Sequence, residues 1–189
     1  MFLMDINFQI AREKLLNMLK EKAFFQNKEP VFTLSSGKQS PYYIDCKNVT
    51  YNASAMELVG TLFYQAVCKL PICAIGGLTL GADPIAYATA FLSNRMDKPL
   101  NAFVVRKESK THGIKKWIEG GVKAGDRVAI VEDVLTTGKS TIKAIKRSQS
   151  DGLHVIKVIA LVDREEGGKE NIEKEGLEVE SIFTLRDFL

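Results

Sequence analysis

The sequence has few of the residues that build a cross-linked or metal-stabilised scaffold. Its 189 residues include only three cysteines, Cys46, Cys68 and Cys73, and none of them forms a CxxC pair. An odd number without paired spacing argues against a disulfide framework and against a cysteine-based zinc site, and it indicates a reducing compartment. We therefore expect three small apolar side chains in or near the core.

Membrane-spanning and secretory features are missing as well. The longest apolar runs are interrupted by charge or glycine before they reach the roughly 20 residues that a helix needs to cross a bilayer. The first residues, MFLMDINFQIAREK, lack the basic region and following apolar region with which a signal peptide begins. We predict a soluble, cytoplasmic protein.

A strong excess of one charge is also absent. The formal net charge is +3, with 46% hydrophobic and 26% charged residues, which is ordinary for a soluble globular protein. Composition alone therefore does not indicate a nucleic-acid-binding protein. The length fits one domain, residues 1–189, that is long enough to bury a core.

The chain does contain an alternation of short apolar runs with amphipathic stretches. Helices are predicted over residues 5–25, 53–70, 82–96 and 140–150. Strands are predicted over residues 42–45, 72–75, 102–105, 128–131, 155–162 and 177–184, with a short turn over 185–189. Apolar strands that alternate with helices are typical of parallel strands buried on both faces. We predict an α/β fold with a central parallel sheet flanked by helices, and ligand-binding segments after the strands, at 76–81, 106–121, 132–140 and 163–168.

The segment after the strand at 128–131 carries the clearest chemical signal. It reads EDVLTTGKST, from Glu132 to Thr141. Backbone N–H groups at the start of the next helix, together with the hydroxyl side chains, would form a nest for a phosphate monoester. The two carboxylates repel phosphate but suit sugar hydroxyls or a hydrated Mg²⁺. The segment therefore predicts a sugar-phosphate site, with simple capping of the turn by the acidic pair as the alternative.

The letters GKST in this segment also invite an ATPase interpretation. That motif requires a glycine five residues before Gly138. The residue at that position is Asp133, so the P-loop interpretation fails.

A basic segment precedes this motif. Residues 106–123 read RKESKTHGIKKWIEGGVK, and their glycines and lack of apolar periodicity predict a mobile loop that ends in a turn or hairpin. Basic groups beside a phosphate site stabilise negative charge on a leaving pyrophosphate, and a closing loop excludes water. The alternatives are a run of charged residues that is merely exposed to solvent, or a surface patch that binds nucleic acid.

Three further segments suit a planar, carboxylate-bearing base and a pyrophosphate. Residues 35–45, SSGKQSPYYID, combine a serine-glycine turn with aromatic residues, although a simple surface loop is the alternative. Arg164 follows the strand at 155–162 and can bind a carboxylate bidentately, whereas a surface pair with a glutamate would contribute little. Glycines in residues 76–81 let the backbone approach a pyrophosphate.

These segments, in the order in which they follow one another along the chain between about residues 31 and 168, resemble the signatures of the orotate phosphoribosyltransferases, members of the type I phosphoribosyltransferases. The resemblance implies the type I fold, with a small hood formed by the N- and C-terminal segments and a mobile catalytic loop. It implies a pentosyltransferase that moves the 5-phosphoribosyl group from phosphoribosyl pyrophosphate to N1 of orotate. The products are orotidine 5′-monophosphate and pyrophosphate, in de novo UMP synthesis.

The resemblance also implies individual roles. The residues expected to bind phosphoribosyl pyrophosphate are Arg106, Lys107, Lys110, His112, Glu132, Asp133, Val134, Leu135, Thr136, Thr137, Gly138, Lys139 and Ser140. The expected catalytic residues are Lys110, Lys107, Arg106, His112 and Asp133, with Lys110 the most important for the chemical step. Those expected to bind orotate are Thr136, Arg164, Tyr43 and Ile44. The cofactor is expected to be Mg²⁺, held mainly through the substrate near the acidic pair, and the active unit a homodimer in which the basic loop reaches the neighbouring site.

The chain departs from part of the family at two positions. Some branches carry lysine where this chain has Ser35, and some relatives carry lysine where it has Leu80. Because Leu80 carries no charge, the backbone of residues 76–81 must bind the pyrophosphate. Two rival functions share the sugar-phosphate motif: a transferase for another base, and a non-catalytic phosphoribosyl pyrophosphate sensor that regulates transcription. The sensor would need a helix-turn-helix segment, but residues 1–28 predict only one helix.

Overall fold

The computed structural model of the protein describes residues 7–33, 37–108 and 117–189. The helices of this part of the chain are α1 (Phe8–Lys22), α2 (Lys47–Thr50), α3 (Ala53–Val67), α4 (Ala82–Ser93), α5 (Lys139–Ser150) and α6 (Gly168–Glu173). The strands are β1 (Phe24–Gln26), β2 (Phe32–Thr33), β3 (Gln39–Ser40), β4 (Tyr42–Ile44), β5 (Ala74–Leu78), β6 (Asn101–Val105), β7 (Ile118–Gly120), β8 (Arg127–Leu135), β9 (His154–Asp163) and β10 (Glu178–Thr184). A 3₁₀ turn, Leu185–Asp187, follows the last strand.

Six of these strands form the central sheet, in the order β10-β9-β8-β5-β6-β7. All neighbouring pairs are parallel except β6 and β7, which form an antiparallel hairpin at one edge. Helices cover both faces, and the prediction of an α/β fold with a central parallel sheet is confirmed.

Strand β8 shows how the two faces are filled. Successive side chains of a strand point to opposite faces. Ala129 and Val131 join the apolar cluster under α1, α3 and α4, whereas Val128 and Ile130 join the cluster under α5 and α6. The same alternation fixes where the next two side chains of the strand, the acidic pair, must point.

Strands β5 and β8 extend further than the sequence predicts. Gly76 and Gly77 lie inside β5, and Glu132 and Asp133 lie inside β8, not in the segments that follow these strands. Glycine and acidic residues have a low strand propensity, so the sequence pattern ended both strands too early. Pairing with the neighbouring strands overrides that propensity, since Gly76 is opposite Phe103 and Glu132 is opposite Ala160.

The N- and C-terminal segments pack against each other at one end of the sheet, as the predicted hood requires. Arg12 of α1 forms an ion pair with Asp187 at 2.9 Å, and its guanidinium lies 4.7 Å from the centre of the Phe183 ring. Helix α1 ends at Lys22, earlier than predicted, because the next residues pair with β4 as strand β1. The sequence pattern also missed α2 and α6.

The three cysteines are free thiols in different surroundings. Cys46 is buried and Cys68 is half-buried, but Cys73 is exposed, which corrects the expectation that all three lie in or near the core. No helix in the described part of the chain has the length and apolar character to cross a membrane.

The close approach of β5 to β6 generates a stability prediction. A Cβ atom on Gly76 would lie 2.2 Å from the carbonyl oxygen of Phe103, whereas one on Gly121 would meet only the side chain of Asn101, at 3.3 Å. Overpacking a rigid core typically costs 1–3 kcal/mol, so we expect Gly76→Ala to lower the free energy of unfolding by about 2 kcal/mol. Urea unfolding measures this change, with Gly121→Ala as the matched control. Equal unfolding midpoints for the two variants would contradict the packing argument.

Candidate active site

The acidic pair lies at the carboxyl end of β8, where the two side chains are close enough for a hydrogen bond between them. Glu132 points toward α5 and accepts a hydrogen bond from the Thr141 hydroxyl at 2.9 Å. Asp133 points toward the start of α4, where a Cβ atom on Gly81 would lie 2.3 Å from its Oδ1. Both residues are buried, with 6% and 9% of their surface exposed. The fold therefore brings two carboxyl groups together at the end of this strand.

Burial, and after it the neighbouring charge of Asp133, raise the pKa of Glu132 to about 8. The hydrogen bond from Thr141 opposes this shift. Removal from water disfavours the charged form of a carboxyl group, and so does a like charge close by. The raised pKa favours the protonated form of Glu132 in the free protein, whereas Asp133 has a cation nearby: Lys47 Nζ lies 3.9 Å from its Oδ2.

The hydroxyl-rich segment after β8 forms the first of two cavities. A cavity of about 220 Å³ is lined by Glu132, Val134, Leu135, Thr136, Thr137, Gly138, Lys139, Ser140 and Thr141. Gly138 has a φ of 78°, in the left-handed region that favours glycine, and α5 begins at the next residue. The first N–H groups of a helix lack intrahelical partners and are available to an anion.

Helix α6 supports this segment from behind. Asn171 donates a hydrogen bond from its side-chain amide to the Thr137 carbonyl oxygen at 3.1 Å. A Cβ atom on Gly168 would lie 2.4 Å from the Thr136 carbonyl oxygen, so the two backbones are in close contact. Of the predicted residues here, Leu135 is buried in the core, so its side chain is structural.

A second cavity, of about 230 Å³, lies beside the first and shares Glu132 and Ser140 with it. Its lining consists of Lys47, Leu78, Thr79, Leu80, Gly81, Lys107, Glu132, Asp133 and Ser140. The predicted pyrophosphate segment thus forms one wall, with Lys47 and Lys107 adding two cations. The acidic pair lies where the two cavities meet, since Glu132 lines both of them and Asp133 lines the second. A molecule with phosphate at one end and pyrophosphate at the other requires two such neighbouring cavities.

The segment between β5 and α4 is fixed by its own hydrogen bond. The Thr79 hydroxyl donates to Asp83 at 2.5 Å. Burial raises the pKa of Asp83, while that hydrogen bond and the charge of Lys107 act in the opposite direction. Leu80, which lies on the same segment, is exposed.

Two of the predicted basic residues lie in the described structure. Lys107 lines the second cavity. Arg106 instead turns toward the hairpin, where its Nη1 lies 3.5 Å from Glu119 and its Nε donates to the Glu108 carbonyl oxygen at 3.2 Å. Lys110 and His112 lie outside the described residues, and so do the predicted mobile loop around them and Ser35.

The predicted base-binding residues are not equally accessible. Tyr43 is partly exposed, and its ring stacks on that of Phe32 with 5.8 Å between the ring centres. Ile44 is buried in the core, which leaves only its main chain for a ligand.

Arg164 is 4% exposed and bound by protein groups on several sides. Its Nη2 donates to the Ser40 hydroxyl and to the Tyr42 carbonyl oxygen, each at 3.2 Å, and pairs with Glu166 at 2.9 Å. The pair with a glutamate that was the alternative interpretation is present, but its arginine is buried and not at the surface. The bond to Ser40 joins residues 124 positions apart and brings the segment around β4 to the end of β9.

The sequence interpretation missed Lys47 of the site, which lies in the first turn of α2 and approaches Asp133. Thr141, the last residue of the predicted hydroxyl-rich segment, was expected to bind phosphate but donates its hydroxyl to Glu132 from the first turn of α5. A group of three or more histidine, cysteine or acidic side chains suited to a metal ion does not occur in the part of the chain that the structure describes.

Comparison with known proteins places this chain in a family. A scan against protein-family models gives no match. The chain is 52% identical over 180 residues to an orotate phosphoribosyltransferase from Aquifex aeolicus, covering 95% of this chain and 98% of the relative. An orotate phosphoribosyltransferase from Mycobacterium tuberculosis, solved with Fe(III) dicitrate, aligns with a TM-score of 0.81 and 38% identity over 94% of this chain and 98% of the other. The same enzyme in complex with phosphoribosyl pyrophosphate aligns with a TM-score of 0.77 and 32% identity, covering 95% and 92%. With such identity over nearly its whole length, the chain belongs to the orotate phosphoribosyltransferase family.

Proposed function

We propose that the protein transfers the 5-phosphoribosyl group from phosphoribosyl pyrophosphate to N1 of orotate, giving orotidine 5′-monophosphate and pyrophosphate. The observation that carries this proposal is the position of Glu132 and Asp133 between two cavities that share a wall. One cavity is formed at the start of α5 and suits a phosphate monoester. The other is lined by two lysines and suits a pyrophosphate.

In this arrangement the ribose lies over the acidic pair. Carboxylates accept hydrogen bonds from sugar hydroxyls, so the pair would hold the 2′- and 3′-hydroxyls and orient the anomeric carbon. The bond from that carbon to the pyrophosphate oxygen breaks, the bond to N1 of orotate forms on the opposite face, and the proton of N1 is released to water. Lys107, on the wall of the second cavity, stabilises the negative charge that develops on the pyrophosphate. We assign the same task to Arg106, Lys110 and His112.

Orotate is proposed to bind near Thr136, Tyr43, the main chain of Ile44, and Arg164. The support for Arg164 is its place at the carboxyl end of β9, next to the segment around Ser40. A guanidinium that holds Glu166 has already been removed from water, so exchange of that partner for the orotate carboxylate replaces one ion pair by another. An uncharged base offers no such exchange, which favours a carboxylate-bearing substrate.

Mg²⁺ is proposed as the cofactor. The residues at the cleft fit an ion that arrives with the substrate, because Glu132 and Asp133 are the two carboxylates there and no third ligand of the described chain completes a site. When bound, the ion would neutralise charge on the pyrophosphate. The protein's own part is to hold the ribose and the leaving group in position.

The active unit is proposed to be a homodimer with the basic loop shared between subunits. Large apolar side chains lie exposed on α4, including Tyr87 at 54% and Phe91 at 68%. Leu80 is also exposed, and Tyr51 donates a hydrogen bond to its carbonyl oxygen, which extends the apolar surface to the wall of the second cavity. A second copy on this surface would lie next to the cleft.

We also propose the cytoplasm as the location, in keeping with three free thiols.

The proposal is tested by loss of the ultraviolet absorbance of orotate when the protein, Mg²⁺ and phosphoribosyl pyrophosphate are mixed. We expect turnover of orotate but not of uracil, adenine or hypoxanthine. Lys110→Ala should lower kcat by about 100-fold or more, because removing one group that stabilises transition-state charge has effects of that size. Lys69→Ala, on the exposed turn after α3, is the control and should leave kcat unchanged.

Turnover of another base would overturn the orotate assignment while leaving the sugar-phosphate site intact. Binding of phosphoribosyl pyrophosphate without turnover of any base would favour the regulatory sensor.

The raised pKa of Glu132 predicts a pH dependence of stability. The folded protein binds more protons than the unfolded chain between the ordinary pKa of 4.5 and the folded value of about 8. The contribution of Glu132 to the free energy of unfolding therefore decreases as pH rises through this interval. Measured by urea unfolding, the free energy of unfolding of Glu132→Gln should decrease less than that of the wild type as pH rises. The control Glu29→Gln, which changes an exposed residue, should show the same decrease as the wild type. Parallel profiles for wild type and Glu132→Gln would contradict the shift.

Sharing of the loop predicts complementation between inactive variants. Asp133→Asn damages the cleft, and Lys110→Ala damages the loop. When the two are mixed under conditions that allow exchange of subunits, random pairing in a twofold dimer should restore about one quarter of the wild-type activity. Each variant alone, treated in the same way, is the control. Absence of recovery, with mixed dimers demonstrated by differently tagged subunits, would show that each loop serves its own subunit.

A further inference from the structure

Arg147 occupies a special position in a basic groove on the outer side of α5. The groove, of about 500 Å³, is lined by Trp117, Lys139, Ile142, Lys143, Lys146, Arg147 and Ser150. The Arg147 guanidinium lies 3.8 Å from the centre of the Trp117 ring. It also donates a hydrogen bond from Nη1 to the carbonyl oxygen of Arg106. One side chain thus contacts two residues of the basic segment, Arg106 at its start and Trp117 further along.

Both contacts fall at the base of the β6–β7 hairpin. The Arg106 N–H donates to the Trp117 carbonyl oxygen at 2.9 Å, directly beyond the last paired residues of the two strands. The Arg106 carbonyl belongs to the same planar peptide group as the Lys107 amide. Fixing the direction of that carbonyl therefore fixes the direction in which the chain continues to Lys107, which lines the second cavity.

Arg147 makes these contacts from a helix that begins at the other cavity. Gly138, at the start of α5, lies nine residues before Arg147, which corresponds to roughly 13 Å along a rigid helix. The first turn of α5 is held to β8 by the bond between Thr141 and Glu132. The helix is thus a fixed link between the proposed phosphate site and the base of the hairpin.

We propose that Arg147 is a positioning residue for the transfer reaction: by holding the Arg106 carbonyl and the Trp117 ring, it directs Lys107 into the cleft. This inference rests on the proposed function, since Lys107 acts there on the pyrophosphate. Arginine suits the task because its planar group can lie on an aromatic ring and donate hydrogen bonds at its edge at the same time. Lysine can do only one of these at a time.

The experiment compares Arg147→Met, Arg147→Lys and the control Lys143→Met. Lys143 is exposed on the same helix and lines the same groove, so its variant removes an equal charge at a position with no described contact to Arg106 or Trp117. The affinity for Mg²⁺-bound phosphoribosyl pyrophosphate is measured by calorimetry, and kcat and KM by the orotate assay. Trp117 is the only tryptophan, so its fluorescence reports directly whether the contact with Arg147 is lost.

We expect Arg147→Met to change the Trp117 emission and to weaken phosphoribosyl pyrophosphate binding by about tenfold, the usual effect of losing a hydrogen bond from a charged donor. Arg147→Lys should recover part of this loss, KM for orotate should stay within about twofold, and Lys143→Met should bind as the wild type does. Thermal unfolding tests whether each variant is folded. If Arg147→Met does not fold, Arg147→Lys is compared with the wild type instead.

The inference would be overturned if Arg147→Met bound phosphoribosyl pyrophosphate as tightly as the wild type although its Trp117 emission had changed. It would also be overturned if Lys143→Met lost as much affinity for this ligand as Arg147→Met, because the effect would then come from the positive charge of the groove. If the wild-type protein binds phosphoribosyl pyrophosphate but transfers the phosphoribosyl group to no base, only the proposed reaction is refuted. The role of Arg147 is then still decided by comparing the affinities of the wild type and the variants for phosphoribosyl pyrophosphate. If the wild type does not bind this ligand, both proposals fall together.

Discussion

The burial of two adjacent carboxyl groups at the end of β8 is the constraint around which the site is arranged. Two negative charges out of water, side by side in one strand, would be costly if both were ionised. Glu132 meets the Thr141 hydroxyl, and Asp133 meets Lys47. Gly81 leaves room for the carboxyl group of Asp133. Glu132 lines both cavities and Asp133 lines the second, so the pair lies where the two cavities meet.

The two helices that begin at the pair have different supporting contacts. Helix α4 follows a segment in which Thr79 is fixed by Asp83, so the wall of the second cavity is braced locally. Helix α5 has α6 behind its first turn and the base of the hairpin near its last turn. The parts of the site that must hold phosphate groups at a set separation are therefore attached to regular elements, which supports the proposed transfer better than a site on free loops would.

Arg164 shows that one side chain can serve both the fold and a proposed substrate. It joins the segment around Ser40 to the end of β9, and its charge is balanced by Glu166. Removing a partner from a buried ion pair leaves an uncompensated charge, so loss of Arg164 would affect folding as well as any binding of orotate. A role in recognition is therefore separable from a role in stability only by measuring both.

The α/β class, the order of most helices and strands, the sugar-phosphate motif and the family resemblance could all be predicted from the sequence, because they depend on local periodicity and on contiguous residues. The sequence pattern ended β5 and β8 too early, since glycine and acidic residues enter a strand only when neighbouring strands pair with them. The approach of Lys47 to Asp133, the burial of Arg164 against Ser40 and the contact of Arg147 with the base of the hairpin became visible only in the folded structure. These contacts join residues distant in the chain, and no local pattern of residues encodes a distance between separate elements.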